Sequence, residues 1–328
     1  MLWKKLSFLL FLATNVVYGS HLRTSMDIEK NIIEPRKLQN QDKIIKGINW
    51  FGFETEYKDL MCTWAHSIDW HLRKIKEVGF NYIRLPFSLE FVQEGNWSQM
   101  DEFFEKSKEL DLDVVLDFHR LHSTHQSAKP YDRKYSFDDF LDGWETILNR
   151  YKGYENLRAV DIFNEYQSGN YVEWNNLSRQ IVSFIETNFP NRFEFFVGGT
   201  NWGGNLHNMD LSDLAFHDRI RYSIHKYWFS DTEPYEGKWN YSFGDHKPVI
   251  NVGEWGYMSD VQSEAEWAER FVEYLRDNDL RDTFFWTWSH NSGDTAGILL
   301  ESSKSQSGQD CNDVDYKKML LLHHLWGE

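Results

Sequence analysis

Eight short β-rich segments alternate with stretches of helical periodicity between residues 44 and 288, and this alternation sharply limits the folds open to the chain. The segments are Ile44–Asn49, Asn81–Pro86, Asp113–His119, Ala159–Glu165, Phe193–Gly199, Tyr222–Trp228, Pro248–Glu254 and Thr283–Trp288. Between them, Leu72, Ile75 and Val78 fall on one helix face after the polar start at Ser67. Phe103, Phe104 and Leu110 form a second stripe, Leu177, Ile181, Phe184 and Ile185 a third, and Trp267, Phe271 and Leu275 a fourth. Gly79 stands where a helix C-terminal glycine belongs. Asn208–Asp218 and Pro234–Asp245 are less regular, and no helix is assigned there. Strand–helix alternation implies parallel βαβ units, and eight of them can close into a (β/α)8 TIM barrel. The rival is an open doubly wound sheet. No Gly-x-Gly-x-x-Gly turn follows the first segment, which removes the usual dinucleotide-binding support for that rival. A single barrel over residues 44–328 is therefore expected, with its active site at the C-terminal ends of the strands.

The N-terminus reads differently. Lys4 and Lys5 precede an apolar run, Leu6 to Val17, that is too short to span a bilayer. Residues 1–19 are read as a signal peptide, and 20–43 as a polar extension. The expected product is a secreted monomer with no membrane anchor. Removing the leader takes away two lysines and no acid, so the formal charge of −16 becomes −18. Such a balance argues against nucleic acid, since phosphate binding needs clustered Lys and Arg. Aromatic residues make up 17% of the chain, with 15 Trp. Most aromatic rings fill cores, but an excess beside strand ends fits stacking on the apolar C–H faces of sugar rings.

The strand ends deliver chemistry. The second segment brings Arg84, the third Asp117-Phe118-His119-Arg120, and the fourth Asn164-Glu165. The sixth brings His225-Lys226-Tyr227, the seventh Gly253-Glu254-Trp255, and the eighth Trp286 and Trp288. One polar strand end simply caps its strand in solvent; six converging on one mouth point to a site. Glycoside cleavage requires one carboxyl group to protonate the leaving oxygen and an ionised one to attack or to activate water. Glu165 and Glu254 meet that need in kind. Arg84 and Tyr227 would hold Glu254 ionised as nucleophile, while like-charge repulsion would keep Glu165 protonated. His225 would orient Glu165, Asn164 would donate to the sugar 2-hydroxyl, His119 would bind the same ring, and Trp286 would form its floor. Trp288 is counted with this supporting set.

The residues also carry a resemblance. Gly47-Ile48-Asn49-Trp50-Phe51-Gly52-Phe53-Glu54-Thr55, Ile83-Arg84-Leu85-Pro86, Asn164-Glu165, His225-x-Tyr227, Gly253-Glu254-Trp255 and Trp286-x-Trp288-x-x-Asn291-Ser292-Gly293-Asp294-Thr295 occur in this order. From about Ile44 to Leu300 the chain resembles glycoside hydrolase family 5, in particular its endo-β-1,4-glucanases (cellulases). The resemblance implies a retaining barrel enzyme without cofactor, with Glu165 as acid/base and Glu254 as nucleophile acting on a β-glucan. It carries over Arg84, His119, Asn164, His225, Tyr227 and Trp286 as the supporting set, with Trp64 and Trp202 stacking flanking sugars. One departure stands out: the family usually has proline after its acid/base glutamate, and Tyr166 stands here. Another β-glycan (mannan, xyloglucan or β-1,3-glucan) is the alternative substrate. A non-catalytic carbohydrate-binding protein is the alternative function.

Asn96, Asn176 and Asn240 begin N-glycosylation sequons. His119, His122 and His125 have a spacing that could share a helix face, but no His-Glu-x-x-His pattern or cysteine set accompanies them, so no metal is expected. Cys62 and Cys311 fall in the loops after the first and eighth segments, which barrel closure makes neighbours. A disulfide across the barrel seam is expected there.

Overall fold

The computed structural model describes residues 43–245 and 250–328, so the expected leader and nearly all of the expected extension lie outside the described residues. Eight parallel strands form a closed barrel in chain order. They are β1 (Lys46–Asn49), β2 (Tyr82–Ser88), β3 (Asp113–Arg120), β4 (Leu157–Asp161), β5 (Glu194–Gly198), β6 (Ile220–Tyr227), β7 (Ile250–Gly256) and β8 (Thr283–Phe285), and β8 pairs back onto β1. The helices are α1 (Ile68–Glu77), α2 (Leu89–Glu94), α3 (Ser98–Glu109), α4 (Phe137–Tyr151), α5 (Tyr171–Asn188), α6 (Tyr235–Phe243), α7 (Gln262–Asp277) and α8 (Tyr316–Trp326). None of the described helices is long and apolar enough to cross a membrane.

The strand period of two separates two cores. Outward residues such as Val114, Leu116 and Phe118 of β3 join the large cluster under the helices, where Phe118 packs on Phe140 and Trp144 of α4. Inward residues Ile45, Val115, Ala159, Phe196 and Phe284 form a small plug inside the barrel. Inward positions nearer the C-terminal ends of β2, β3 and β4 are Arg84, Asp117 and Asp161, all buried. A charged layer therefore sits directly on an apolar one.

Three expectations need correction. The fourth strand stops at Asp161, so Asn164 and Glu165 stand in the loop beyond it, held where Asn164 N donates to Phe118 O at 3.1 Å. The eighth stops at Phe285. Residues 235–243 do form a helix, α6; it contains Gly237 and buries only Trp239, Ser242 and Phe243, too few to mark a helical period. Between β5 and β6 the chain makes only a 3-10 turn, His217–Arg219. Asn201, Trp202, Gly203 and Asn208 there all take positive φ, which a helix cannot accommodate.

Cys62, after β1, and Cys311, before α8, are buried and joined by a disulfide that spans 249 residues of sequence. Replacing both with serine should lower the unfolding free energy by up to about 5 kcal/mol on the loop-entropy account. Denaturant unfolding of the two proteins checks this. Alkylation of the denatured, unreduced protein should add no mass, and two labelled thiols would contradict the bond.

Candidate active site

Arg84 organises the mouth of the barrel. Its Nε donates to Asp161 Oδ2 at 2.9 Å, and its Nη1 to Asn49 Oδ1 at 2.9 Å and Glu254 Oε1 at 2.6 Å. Its Nη2 donates to Asn164 Oδ1 at 2.8 Å and lies 3.1 Å from Asp117 Oδ1. One buried cation thus faces three carboxylates from β3, β4 and β7. The three do not share it equally. Burial outweighs the attraction of Arg84 at Asp117 and Asp161, and both carboxyls are pushed up to about 7. At Glu254 burial also opposes ionisation, but the charges of His225 and Arg84 and the Tyr227 hydroxyl outweigh it, so this carboxyl lies below the usual glutamate range.

Glu254 reaches the mouth because of a bulge. Ile224 pairs with Val252 but His225 pairs with Glu254, which leaves Gly253 as an extra residue in β7. Val252 and Trp255 both belong to the outer core, so without the bulge Glu254 would share the outward face of Val252. Gly253 is also the residue that fits: a Cβ there would sit 2.2 Å from Ser223 Oγ and 3.0 Å from His225 Nε2. Asn49 Nδ2 donates to Gly253 O at 3.2 Å and to Phe285 O at 3.2 Å, tying β1 to the bulge and the barrel seam.

Glu165 approaches from the opposite wall. His225 Nδ1 lies 3.0 Å from Glu165 Oε1 and 3.5 Å from Glu254 Oε2, and Tyr227 Oη donates to Glu254 Oε2 at 2.8 Å. Carboxylate oxygens of Glu165 and Glu254 come within 4.8 Å of each other. Burial raises the Glu165 carboxyl and the charge of Glu254 adds to the rise, against the lowering effect of its His225 hydrogen bond. Two neighbouring carboxyls are therefore driven apart, one towards the acid and one towards the anion. Burial holds the His119 imidazole down to about 4, hence neutral. Its Nδ1 donates to Asp117 Oδ2 at 2.6 Å, so its Nε2 accepts from Asn164 Nδ2 at 3.2 Å.

Above this network Trp286 is half-buried, stacked at 17° to His119 and at 18° to Phe51, with its Nε1 donating to Ser292 Oγ at 3.1 Å. Trp64 is 61% exposed and lines a cleft of about 580 Å³ with Tyr57, Asp59, Gln99 and Asn291. Trp202, 50% exposed, stands on the loop after β5. Trp288 does not belong with these. It is fully buried, and its Nε1 donates to His71 Nδ1 on α1 at 3.1 Å, so it packs rather than faces a ligand. Asn49, Asp117 and Asp161 were missed as site residues. The signal for Asp117 and Asp161 is an acid interrupting an apolar strand, and the two are register partners on β3 and β4. Of the three histidines, His119 joins the site, whereas His122 and His125 stack on each other in the following loop, where His122 pairs with Asp132. Asn96, Asn176 and Asn240 are all exposed.

Ligand-type atoms cluster at Asp117–His119–Glu254 and Glu165–His225–Glu254, but there Arg84 already supplies a cation to the first set and His225 bridges the second. The Cys62–His290–Cys311 group has its sulfurs in the disulfide.

Residues 40–292 match the family model described as Cellulase (glycosyl hydrolase family 5). The chain belongs to glycosyl hydrolase family 5. It is similar to an endoglucanase of Paenibacillus polymyxa, 27% identical over 80% of this chain and 79% of the relative. It is also similar to the major extracellular endoglucanase of Xanthomonas campestris pv. campestris, 25% identical over 86% of this chain and 68% of that one. Among solved structures, a variant endocellulase of Pyrococcus horikoshii in complex with cellotetraose superposes with a TM-score of 0.76. It is 26% identical, covering 86% of this chain and 92% of the other. A family 5 glycosyl hydrolase with cellulase relatives accounts for the polar mouth that the barrel builds at such cost in buried charge.

Arg84→Met should cost about 3–5 kcal/mol of stability, because three carboxylates would then face one another without a cation. The loss should be larger at pH 8 than at pH 5, since Asp117 and Asp161, held near 7, are largely protonated at pH 5. Denaturant melts at the two pH values test this; a variant as stable as the parent at pH 8 would refute the ion-pair reading.

Proposed function

We propose that this family 5 hydrolase is a secreted, retaining endo-β-1,4-glucanase that works by double displacement. The observation that carries the reading is the carboxyl pair. Glu165 and Glu254 bring oxygens within 4.8 Å of one another and are biased towards opposite protonation states. Retaining glycosidases set their carboxyls about 5–5.5 Å apart, too close for an intervening water and near enough for covalent attack. Glu254, ionised beside Arg84 and Tyr227, attacks the anomeric carbon. Glu165 protonates the leaving oxygen and, once ionised, takes a proton from the water that resolves the glycosyl-enzyme. His225 orients Glu165. The Asn164 amide, fixed between Arg84 and His119, is offered to the 2-hydroxyl of the attacked sugar, with His119 on the same ring and Trp286 as its floor.

Cellulose-type substrate and endo action are supported by the named relatives and by the exposed Trp64 and Trp202 on the loops after β1 and β5. Secretion is supported by the leader-like residues 1–19, the disulfide and the extracellular relative.

Glu254→Gln should abolish turnover while leaving sugar binding intact. Glu165→Ala should slow a soluble β-glucan by about 10²–10⁴-fold but spare an activated aryl cellobioside far more. Equal losses on both substrates would exclude Glu165 as the acid. A product profile on carboxymethylcellulose, lichenan, mannan and xyloglucan fixes the substrate.

The pH profile has a defined sign. Glu254 must be ionised and lies low, and Glu165 must be protonated and lies high, so kcat/KM should plateau between them. Tyr227→Phe removes a donor to the anion, raises the Glu254 carboxyl and should move only the acidic limb, towards higher pH. An alkaline-limb shift instead would contradict the assignment.

A further inference from the structure

Tyr166 follows Glu165 directly and is wholly buried, and its hydroxyl is committed outside the catalytic pair. Its ring lies parallel to Trp174 of α5 at 4.8 Å and 6°. Trp174 in turn donates from Nε1 to Gly198 O at the end of β5, 2.7 Å away. The Tyr166 hydroxyl donates to Glu173 Oε2 at 2.8 Å. Glu173 collects the neighbouring loops. Its Oε1 accepts from Lys129 and from Tyr131 Oη at 2.9 Å, both in the loop after β3, and its backbone N–H is capped by Asn170 at 3.2 Å.

The backbone beside the acid is pinned from two sides as a result. Gln167 N donates to Ala128 O at 3.2 Å, on the loop after β3. On the other side Trp202 N donates to Tyr166 O at 3.0 Å, and Asn201 N to Ser168 O at 3.2 Å. The exposed Trp202 indole and the Glu165 carboxyl are thus attached to adjoining points of one clamped segment. The clamp is charge-assisted, because Lys129 and the two phenols hold Glu173 below the usual glutamate range. Burial and the Glu173 carboxylate push the Tyr166 phenol up to about 12, so it stays a donor through the working pH range.

We propose that Tyr166 and Glu173 form a positioning pair that sets the Glu165 carboxyl and Trp202 against the leaving sugar, and so governs protonation of the leaving group rather than attack by Glu254. This rests on Glu165 being the acid. The pair touches neither reacting carboxyl, and acts through the backbone of residues 165–168. A positioning error of about 1 Å at a proton donor costs far more when the leaving group needs the proton than when it does not.

The test compares Tyr166→Phe and Glu173→Leu with the parent enzyme, using kcat/KM on a soluble β-1,4-glucan and on dinitrophenyl β-cellobioside. Each variant should lose about tenfold on the glucan and stay within about twofold on the aryl glycoside. The double variant should be no worse than the poorer single one, because both changes break the same contact. Equal loss on the two substrates, no loss on the glucan, or additive losses would each overturn the pairing. Thermal melts of both variants guard against general unfolding, which would depress the two substrates alike. Glu165→Ala, run alongside, separates the two levels. If it lacks the leaving-group split, the acid assignment falls; if it shows the split and the Tyr166 and Glu173 variants do not, only the positioning pair falls.

Discussion

Arg84 carries one positive charge into a fully buried layer that holds three carboxylates, and most of what distinguishes this barrel follows from that imbalance. A single guanidinium cannot neutralise Asp117, Asp161 and Glu254 together. Asp117 and Asp161, sealed against the apolar plug, are the ones forced towards the protonated form, while Glu254, with Tyr227 and His225 also at hand, remains the anion. A cluster that would be a poor way to stabilise a core is thus a way to keep one particular carboxylate charged and aimed. The five donor positions of Arg84 also fix Asn49 and Asn164, so geometry and charge are set by the same side chain.

The second constraint is parity. Strand residues alternate between the outer core and the barrel interior, and β7 must place Val252 and Trp255 outside but Glu254 inside. The extra residue at Gly253 resolves that conflict, and the lack of a side chain there leaves room for Ser223 and His225 on the adjacent strand. Asn49 closes the arrangement by bonding to the bulge and to β8, so the first strand reads the geometry of the last two. The disulfide between Cys62 and Cys311 bridges the same seam at the level of the loops.

Much of the architecture is legible in the residues because apolar β-rich runs and helical stripes alternate along most of the chain. The exceptions have physical causes. Residues 235–243 bury too few side chains to print a helical period, and the turn-rich segment before β6 forms no α-helix at all. The fourth strand ends four residues before the expected Glu165. Ile162 and Asn164 continue to bond to neighbouring strands after regular pairing stops, so their composition looks like strand. At the site, residues of distinctive chemistry at strand ends were readable: Arg84, Glu165, Glu254, His225 and Tyr227 converge. Asp117 and Asp161 were harder, because they sit below the mouth inside apolar runs, where only register exposes them as a pair. Trp288 shows the opposite error. An aromatic two residues from Trp286 looks equivalent along the chain, yet it packs on α1 beneath the loop.

The covalent role of Glu254 is the claim on which the mechanism turns, and trapping the intermediate tests it most directly. A dinitrophenyl 2-deoxy-2-fluoro-β-cellobioside slows both steps but keeps a good leaving group, so a retaining enzyme accumulates the glycosyl-enzyme. Mass spectrometry of the intact protein should show one added 2-deoxy-2-fluorocellobiosyl unit, and peptide mapping should place it on Glu254. A protein that hydrolyses the glucan but gives no adduct, or carries it on another residue, would contradict nucleophilic attack by this carboxylate.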